Sequence, residues 1–221
     1  METQRPHWRK PHDGEHRLPV SLVVAIVILL QFTLPNNLSS SFQNWICFLE
    51  FTILVALYAV SPNRIAKHHP PTRLIGFALT TVMTISNTAS AVKLVAELIS
   101  GGIGTATQLL ASGGSIWLTN IVIFSLWFWD LDRGGPGARA EGKDEWPDFM
   151  FQQMSDPQYA PSDWHPKFFD YLYMSFTNAS AFSPTDVLPL SRWAKLLMLL
   201  QSTTSLVVVG LVVARAVNIL H

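Results

Sequence analysis

The sequence predicts an all-α integral membrane protein of about five transmembrane helices, with a re-entrant hairpin before the last. Three observations lead there. Of 221 residues, 49% are apolar and only 14% charged, against about 25% charged in soluble domains. The charges are gathered into a few blocks separated by apolar runs. Those runs approach the ~20 residues needed to cross a hydrocarbon core.

The chain divides into four parts. Residues 1–17 form a polar, basic tail with Arg5, Arg9, Lys10 and Arg17 beside His7, His12 and His16. Such a tract reads as disordered, and its irregular histidine spacing suits no metal site. Residues 18–129 form a four-span scaffold, with runs at about 18–34, 45–60, 74–99 and 112–129. The first run follows the basic tail as a signal peptide would, but Pro35-Asn36-Asn37 follows it where a small-residue cleavage site would stand, so it is expected to remain as a span. The third is long enough to tilt or project. Residues 130–167 are an acidic, proline-rich loop; from Asp130 to Asp170 there are nine acids, four bases and five prolines, a composition expected of a solvated loop or lid. Residues 168–221 hold a short amphipathic helix at 168–177, a polar turn at 178–186 and a fifth apolar run at 190–220.

Lysine and arginine placement sets the orientation. With a cytoplasmic N-terminus, the inside connectors collect thirteen Lys/Arg and the outside only Arg215, with Lys93 inside a span. The expectation is N-in and C-out.

Polar residues within the spans are expected to face the bundle and find partners, because an ionisable side chain at mid-bilayer costs at least ~2.5 kcal/mol. Lys93 and Glu97, four apart, can pair on one helical face or snorkel to the headgroups. Glu50 has no charge partner on its own helix and is expected to be protonated or paired with a base from another span. The lone cysteine, Cys47, lies in an apolar run and reads as a small buried hydrophobe. No nucleophile elbow, His-Glu-x-x-His pair, phosphate loop or dinucleotide fingerprint occurs, so neither an enzyme nor a cofactor is implied. A net charge of zero gives no footprint for nucleic acid.

The terminal segment carries a resemblance. Ser175-Phe176, Asp186, Pro189, Ala194-Lys195, Gln201 and Val213-Ala-Arg215 fall, without a gap, where bacterial members of the tetrameric potassium-channel family have similar residues in the pore helix and inner helix. The resemblance implies a pore-helix-like hairpin and a tetrameric homo-oligomer. The filter is lost: Ala181-Phe182-Ser183-Pro184-Thr185 stands where that family has Thr-Val-Gly-Tyr-Gly, and no glycine occurs from Phe168 to Val209. Filter glycines permit unusual backbone angles, and Pro184 constrains both itself and Ser183, so a carbonyl-lined potassium filter is not expected. The whole layout also resembles an uncharacterised group of bacterial five-span membrane proteins that end in a segment like Tyr171-Leu-Tyr-Met-Ser-Phe-Thr177. This implies a multi-pass protein of the bacterial plasma membrane. In the channel family the pore loop faces outside, which conflicts with the orientation from the charge count; the charge count is preferred.

With carbonyl coordination excluded, side-chain oxygens remain to meet a small ion or polar solute: Thr177, Asn178, Ser180, Ser183, Thr185 and Asp186, with Glu50 as a proton or cation partner. The dipole of the last helix, with Arg192 and Lys195, suits an anion equally well. The bland alternative is that Ser183 or Thr185 merely caps the last helix. At the level of function the alternative is a non-transporting membrane assembly protein, whose acidic, Trp-bearing loop docks a partner.

Overall fold

The computed structural model describes residues 6–60, 62–100, 105–143, 146–156, 158, 160–180 and 186–220. It is all-α, with two minimal strand pairs. The elements are β1 (Glu15–His16), α1 (Arg17–Phe32), α2 (Gln43–Val60), β2 (Arg64–Ile65), α3 (Pro70–Ser100), α4 (Ala106–Leu131), α5 (Pro136–Ala140), β3 (Phe149–Met150), α6 (Gln152–Ser155), α7 (Phe168–Ser180), β4 (Leu188–Pro189) and α8 (Arg192–Leu220). Both β1–β2 and β3–β4 are antiparallel.

Local chemistry sets the boundaries. Pro70 and Pro71 open α3, where a missing N–H costs nothing. Thr105 caps α4, its hydroxyl accepting from the Gln108 N–H at 3.2 Å. At the other end of α4 the chain reverses through Arg133 (φ 49°), Gly134 (φ 74°) and Gly135 (φ 91°). A side chain at Gly135 would also meet the Asp130 carbonyl at 2.9 Å, so only glycine fits this turn.

Four helices are long and apolar enough to cross a bilayer, namely α2, α3, α4 and α8. Helix α1 is apolar but shorter, at 16 residues. The distribution of side chains is inverted relative to a soluble protein. Leu18, Leu22, Ile26 and Leu29 of α1, Phe48, Phe51 and Val55 of α2, and Leu196, Leu199, Leu206 and Val213 of α8 are all exposed. Gln31, Gln43, Glu50, Asn87, Asn120, Gln201 and Ser205 are all buried. Contiguous apolar surface of this kind is unfavourable in water and natural against lipid, where interhelical hydrogen bonds and small residues hold helices together.

Helix α4 is the axis of the bundle. It packs on α1, α3, α7 and α8, and 61% of its apolar window is buried, against 28%, 39% and 28% for α2, α3 and α8. Its contacts are specific: Trp127 Nε1 donates to Thr84 Oγ1 of α3 at 3.0 Å, and Asn120 Nδ2 donates to Ser205 Oγ of α8 at 3.0 Å. At Gly113, α4 approaches α8 so closely that an added Cβ would lie 2.6 Å from a Val212 methyl.

Two expectations are corrected. Residues 6–17 are ordered and packed, with Trp8 only 5% exposed and Glu15 in a strand. The start of the 130–167 segment is likewise not solvated: Asp132, Arg133, Pro136, Gly137, Ala138, Arg139 and Ala140 are all buried, whereas Trp146 and residues 161–163 are exposed. Lys93 and Glu97 form no ion pair; the Lys93 ammonium donates to the Ser39 carbonyl in the α1–α2 connector.

Gly113→Ala should therefore lower stability by about 1–3 kcal/mol, the usual cost of overpacking. Gly114→Ala, with nothing within 4 Å of the new Cβ, should be neutral or gain up to about 1 kcal/mol of helix propensity. Reversible unfolding in mixed micelles measures both, and the opposite ranking would contradict the α4–α8 packing.

Candidate functional site

Polar side chains converge at three places. The first is an ionic node at the end of the bundle where α4 finishes. Arg139, 2% exposed, donates from Nη2 to Glu15 Oε1 at 3.2 Å and from Nη1 to the carbonyls of Trp129 (2.6 Å) and Asp132 (2.9 Å). The other Glu15 oxygen accepts from Trp129 Nε1 at 3.0 Å and from the Phe168 N–H at 2.9 Å. Asp132 accepts from the Tyr171 hydroxyl at 2.5 Å and, on its second oxygen, from the N–H groups of Asp148 and Phe149. Asp148 in turn accepts from Trp193 Nε1 at 2.9 Å through its side chain and from the Leu190 N–H at 2.8 Å through its carbonyl. Buried carboxylates are tolerated only when their lone pairs are taken up in this way.

The node thus fixes the first residue of α7 and the segment entering α8. Further along, α7 lies against α4 and α8. The Ser175 hydroxyl donates to the Ile121 carbonyl of α4, and Gln201 Nε2 donates to both the Ser175 carbonyl (2.9 Å) and its hydroxyl oxygen (2.6 Å). Asn178 Nδ2 donates to the Met198 carbonyl (3.0 Å) and Gln201 Oε1 (2.7 Å), while its own Oδ1 accepts from Ser202. These bonds carry α7 on to Ser180 instead of ending it near Thr177. The Thr177 and Ser180 hydroxyls are spent on carbonyls of their own helix, Tyr173 and Met174 for one and Thr177 for the other. Asp186 is exposed. Ser183 and Thr185 lie outside the described residues.

The second place surrounds Glu50, which is wholly buried between α1, α2 and α3. Gln31 Nε2 donates to Glu50 Oε2 at 3.3 Å, and Gln43 Nε2 reaches Gln31 Oε1 (3.4 Å) and the Ser86 hydroxyl (3.4 Å). Glu50 Oε1 and, on α3, Asn87 Oδ1 next to Ser86 in sequence are buried without a hydrogen-bond partner. Of the two alternatives for Glu50, protonated or paired with a base, the second is not met among the described residues: the group that touches it is an amide. Glu50 and the α7 candidates Thr177, Asn178 and Ser180 are not one site, since α2 packs mainly on α1 and α3, and α7 on α4 and α8.

The third place is a cavity of about 430 Å³ at the same end as the node, bordered by α1, α2, α3, α4 and the α2–α3 connector. The cavity is not visible in the sequence, nor are the buried positions of Glu15, Asp132 and Arg139. The one available signal was Asp132-Arg-Gly-Gly-Pro136 directly after a span, a glycine pair that marks a built turn rather than a loose loop. No three His, Cys, Asp or Glu side chains come together as a metal site among the described residues. No family model, curated protein or solved structure matches the chain.

Beside the node, the rings of His12 and His165 stack at 3.6 Å with planes 16° apart. His12 Nδ1 accepts from the Gly14 N–H at 3.1 Å. Burial first, then the nearby His165, Arg139, Arg133 and Lys167, disfavours the imidazolium and pushes the His12 pKa down from 6.5 to about 4. Burial also lowers His165. The unfolded chain protonates His12 near 6.5 and the folded one only near 4, so this contribution is intact above 6.5 and is lost as pH falls between those values. His12→Asn, which keeps an acceptor for Gly14, should flatten the fall in thermal stability between pH 7 and pH 4.5 relative to the parent. Parallel curves for the two proteins would contradict the assignment.

Proposed function

We propose that this chain is a five-span membrane protein with a re-entrant hairpin, and that it binds and passes a single small positive charge, a proton or a monovalent cation, through its interior. The observation that carries this reading is Glu50. A carboxylate held wholly inside a span is costly and is kept where a proton or ion is handled. One of its oxygens is anchored by Gln31 while the other has no partner, which is the arrangement of a group with a free coordination position. The run of Gln31, Gln43 and Ser86 supplies polar steps beside it.

In this reading α1 is the first span, shorter than the rest, and α7 enters the bundle from the end that holds the N-terminal segment. Both limbs are tied to that end, α7 through Phe168 on Glu15 and α8 through Leu190 and Trp193 on Asp148. The same end gathers Arg9, Arg17, Arg64, Arg73, Arg133 and Arg139, so the charge rule makes it cytoplasmic and the hairpin opens inward. That is the reverse of the potassium-channel arrangement which the segment resembles. A tetramer is proposed from the resemblance alone, and a Glu50 route does not require one.

A second reading, a non-transporting assembly protein of the membrane, is favoured by a different observation: Thr177 and Ser180 spend their hydroxyls on carbonyls of their own helix and Asn178 spends its amide on α8, as packing residues do. Flux of H⁺, Na⁺ and K⁺ into liposomes holding the full chain separates the two. The Glu50 reading predicts flux that falls at least tenfold in Glu50→Gln, with an unfolding midpoint close to the parent's, while Asp186→Ala retains it. Absence of flux for all three ions, or flux indifferent to Glu50, would overturn it and leave the assembly reading.

A further inference from the structure

The basic cavity is not used by the function proposed above. Its mouth carries Arg17 at the start of α1, Arg64 and Lys67 on the α2–α3 connector, and Arg73 in the first turn of α3, against the single acid Asp130. The guanidinium groups of Arg17 and Arg73 are positioned by backbone carbonyls and not by carboxylates: Arg17 Nη1 donates to the Leu57 carbonyl at 2.7 Å, and Arg73 Nη2 to the Asp130 carbonyl at 3.0 Å. Neither has an acidic oxygen within 4.0 Å among the described residues. The Nε atoms of both are buried and without a hydrogen-bond partner. Two fixed guanidinium groups and Lys67, against the one acid Asp130 that both arginines also attract, leave the mouth net positive and suited to an anion.

The walls of the same cavity are different in kind. Val20 and Val24 of α1, Leu54 and Leu57 of α2, Leu79 of α3 and Leu126 of α4 line it. A soluble anion would use the mouth and leave those walls uncovered. The connector that forms the mouth is also rigidly placed. β2 pairs with β1, the His68 N–H donates to Glu141 at 3.2 Å, and a Cβ at Gly137 would collide with the Lys67 carbonyl at 2.4 Å, so α5 is pressed directly against the connector. The volume falls in the usual range of preformed small-molecule sites, about 300–1,000 Å³.

We propose that this cavity holds one phospholipid with a net-negative headgroup, its phosphate between Arg17, Lys67 and Arg73 and its glycerol and first methylenes along the α1–α2 wall. Basic pockets between spans at the cytoplasmic face are suited to anionic headgroups. The inference rests on the membrane placement of the bundle and not on any transport through Glu50.

Native mass spectrometry of the full chain, released from detergent with equal phosphatidylglycerol and phosphatidylcholine, tests it. The expected result is selective retention of phosphatidylglycerol, weakened roughly fivefold for each cation removed in Lys67→Gln and Arg73→Gln. Lys10→Gln, outside the cavity, should match the parent, as should the unfolding midpoints of all three variants in phosphatidylcholine. Millimolar inorganic phosphate should not displace the lipid. Equal retention of the two lipids, retention unaffected by Lys67→Gln and Arg73→Gln, or displacement by inorganic phosphate would each overturn the proposal. Loss of flux without loss of the lipid adduct would count against the transport reading alone.

Discussion

Arg139 is the residue on which one whole end of this bundle depends. It sits between Glu15 and the α4 terminus and has almost no contact with solvent. Through Glu15 it reaches the backbone of Phe168, and beside it Asp132 takes the Tyr171 hydroxyl and two N–H groups of the β3 segment. Removing one member of such a network leaves a buried charge uncompensated, at a cost of about 3–5 kcal/mol. Replacing the network with apolar side chains could be as stable but would not specify position. What the ionic version specifies is where α7 begins and where the chain turns into α8. The N-terminal segment, the start of the segment after α4, the start of α7 and the entry to α8 are thereby held together.

The rest of the bundle follows a different logic. Along α4 the neighbours are held by single polar contacts set among small or apolar residues, such as Asn120 to Ser205 and the close approach at Gly113. Outward faces are apolar and inward positions carry the amides and hydroxyls. Glu50 fits this pattern only halfway, since one of its oxygens is satisfied and one is not. The amide of Gln201 in the interior, by comparison, uses both its oxygen and its nitrogen. Glu50 differs from Gln201 in this respect, and Asn87, with its own unpartnered oxygen, shares the feature with Glu50.

Much of the fold was legible in the sequence because it is written in contiguous apolar runs. The five runs correspond to α1, α2, α3, α4 and α8, and the short amphipathic helix begins at Phe168 as its pattern indicates. Its end was misread for a local reason: Asn178 and Ser180 favour turns when their side chains compete for the backbone, but here Gln201, Met198 and the preceding turn occupy them. The node was illegible because it is non-local. Glu15 and Arg139 are 124 residues apart, and each looked like one more charge in a polar segment. Two of the charges between 130 and 167, Asp132 and Arg139, are instead buried, Arg139 on Glu15 of the N-terminal segment and Asp132 on Tyr171 and the β3 N–H groups. Glu50 stood out from its own helix, whereas its amide partner Gln31 came from the preceding one. Nothing in the sequence marks α4 as the element that four of the other helices share.

The central claim is that the node holds the entry to α7 and the entry to α8 at the end of the bundle that the N-terminal segment occupies. Single cysteines at Asn37, Asn63 and Leu188, each an exposed position, in a Cys47→Ser background, can be reacted with a membrane-impermeant thiol reagent in oriented vesicles. The account predicts that positions 63 and 188 label from the same side and position 37 from the opposite one. Labelling of position 188 together with position 37 would contradict it.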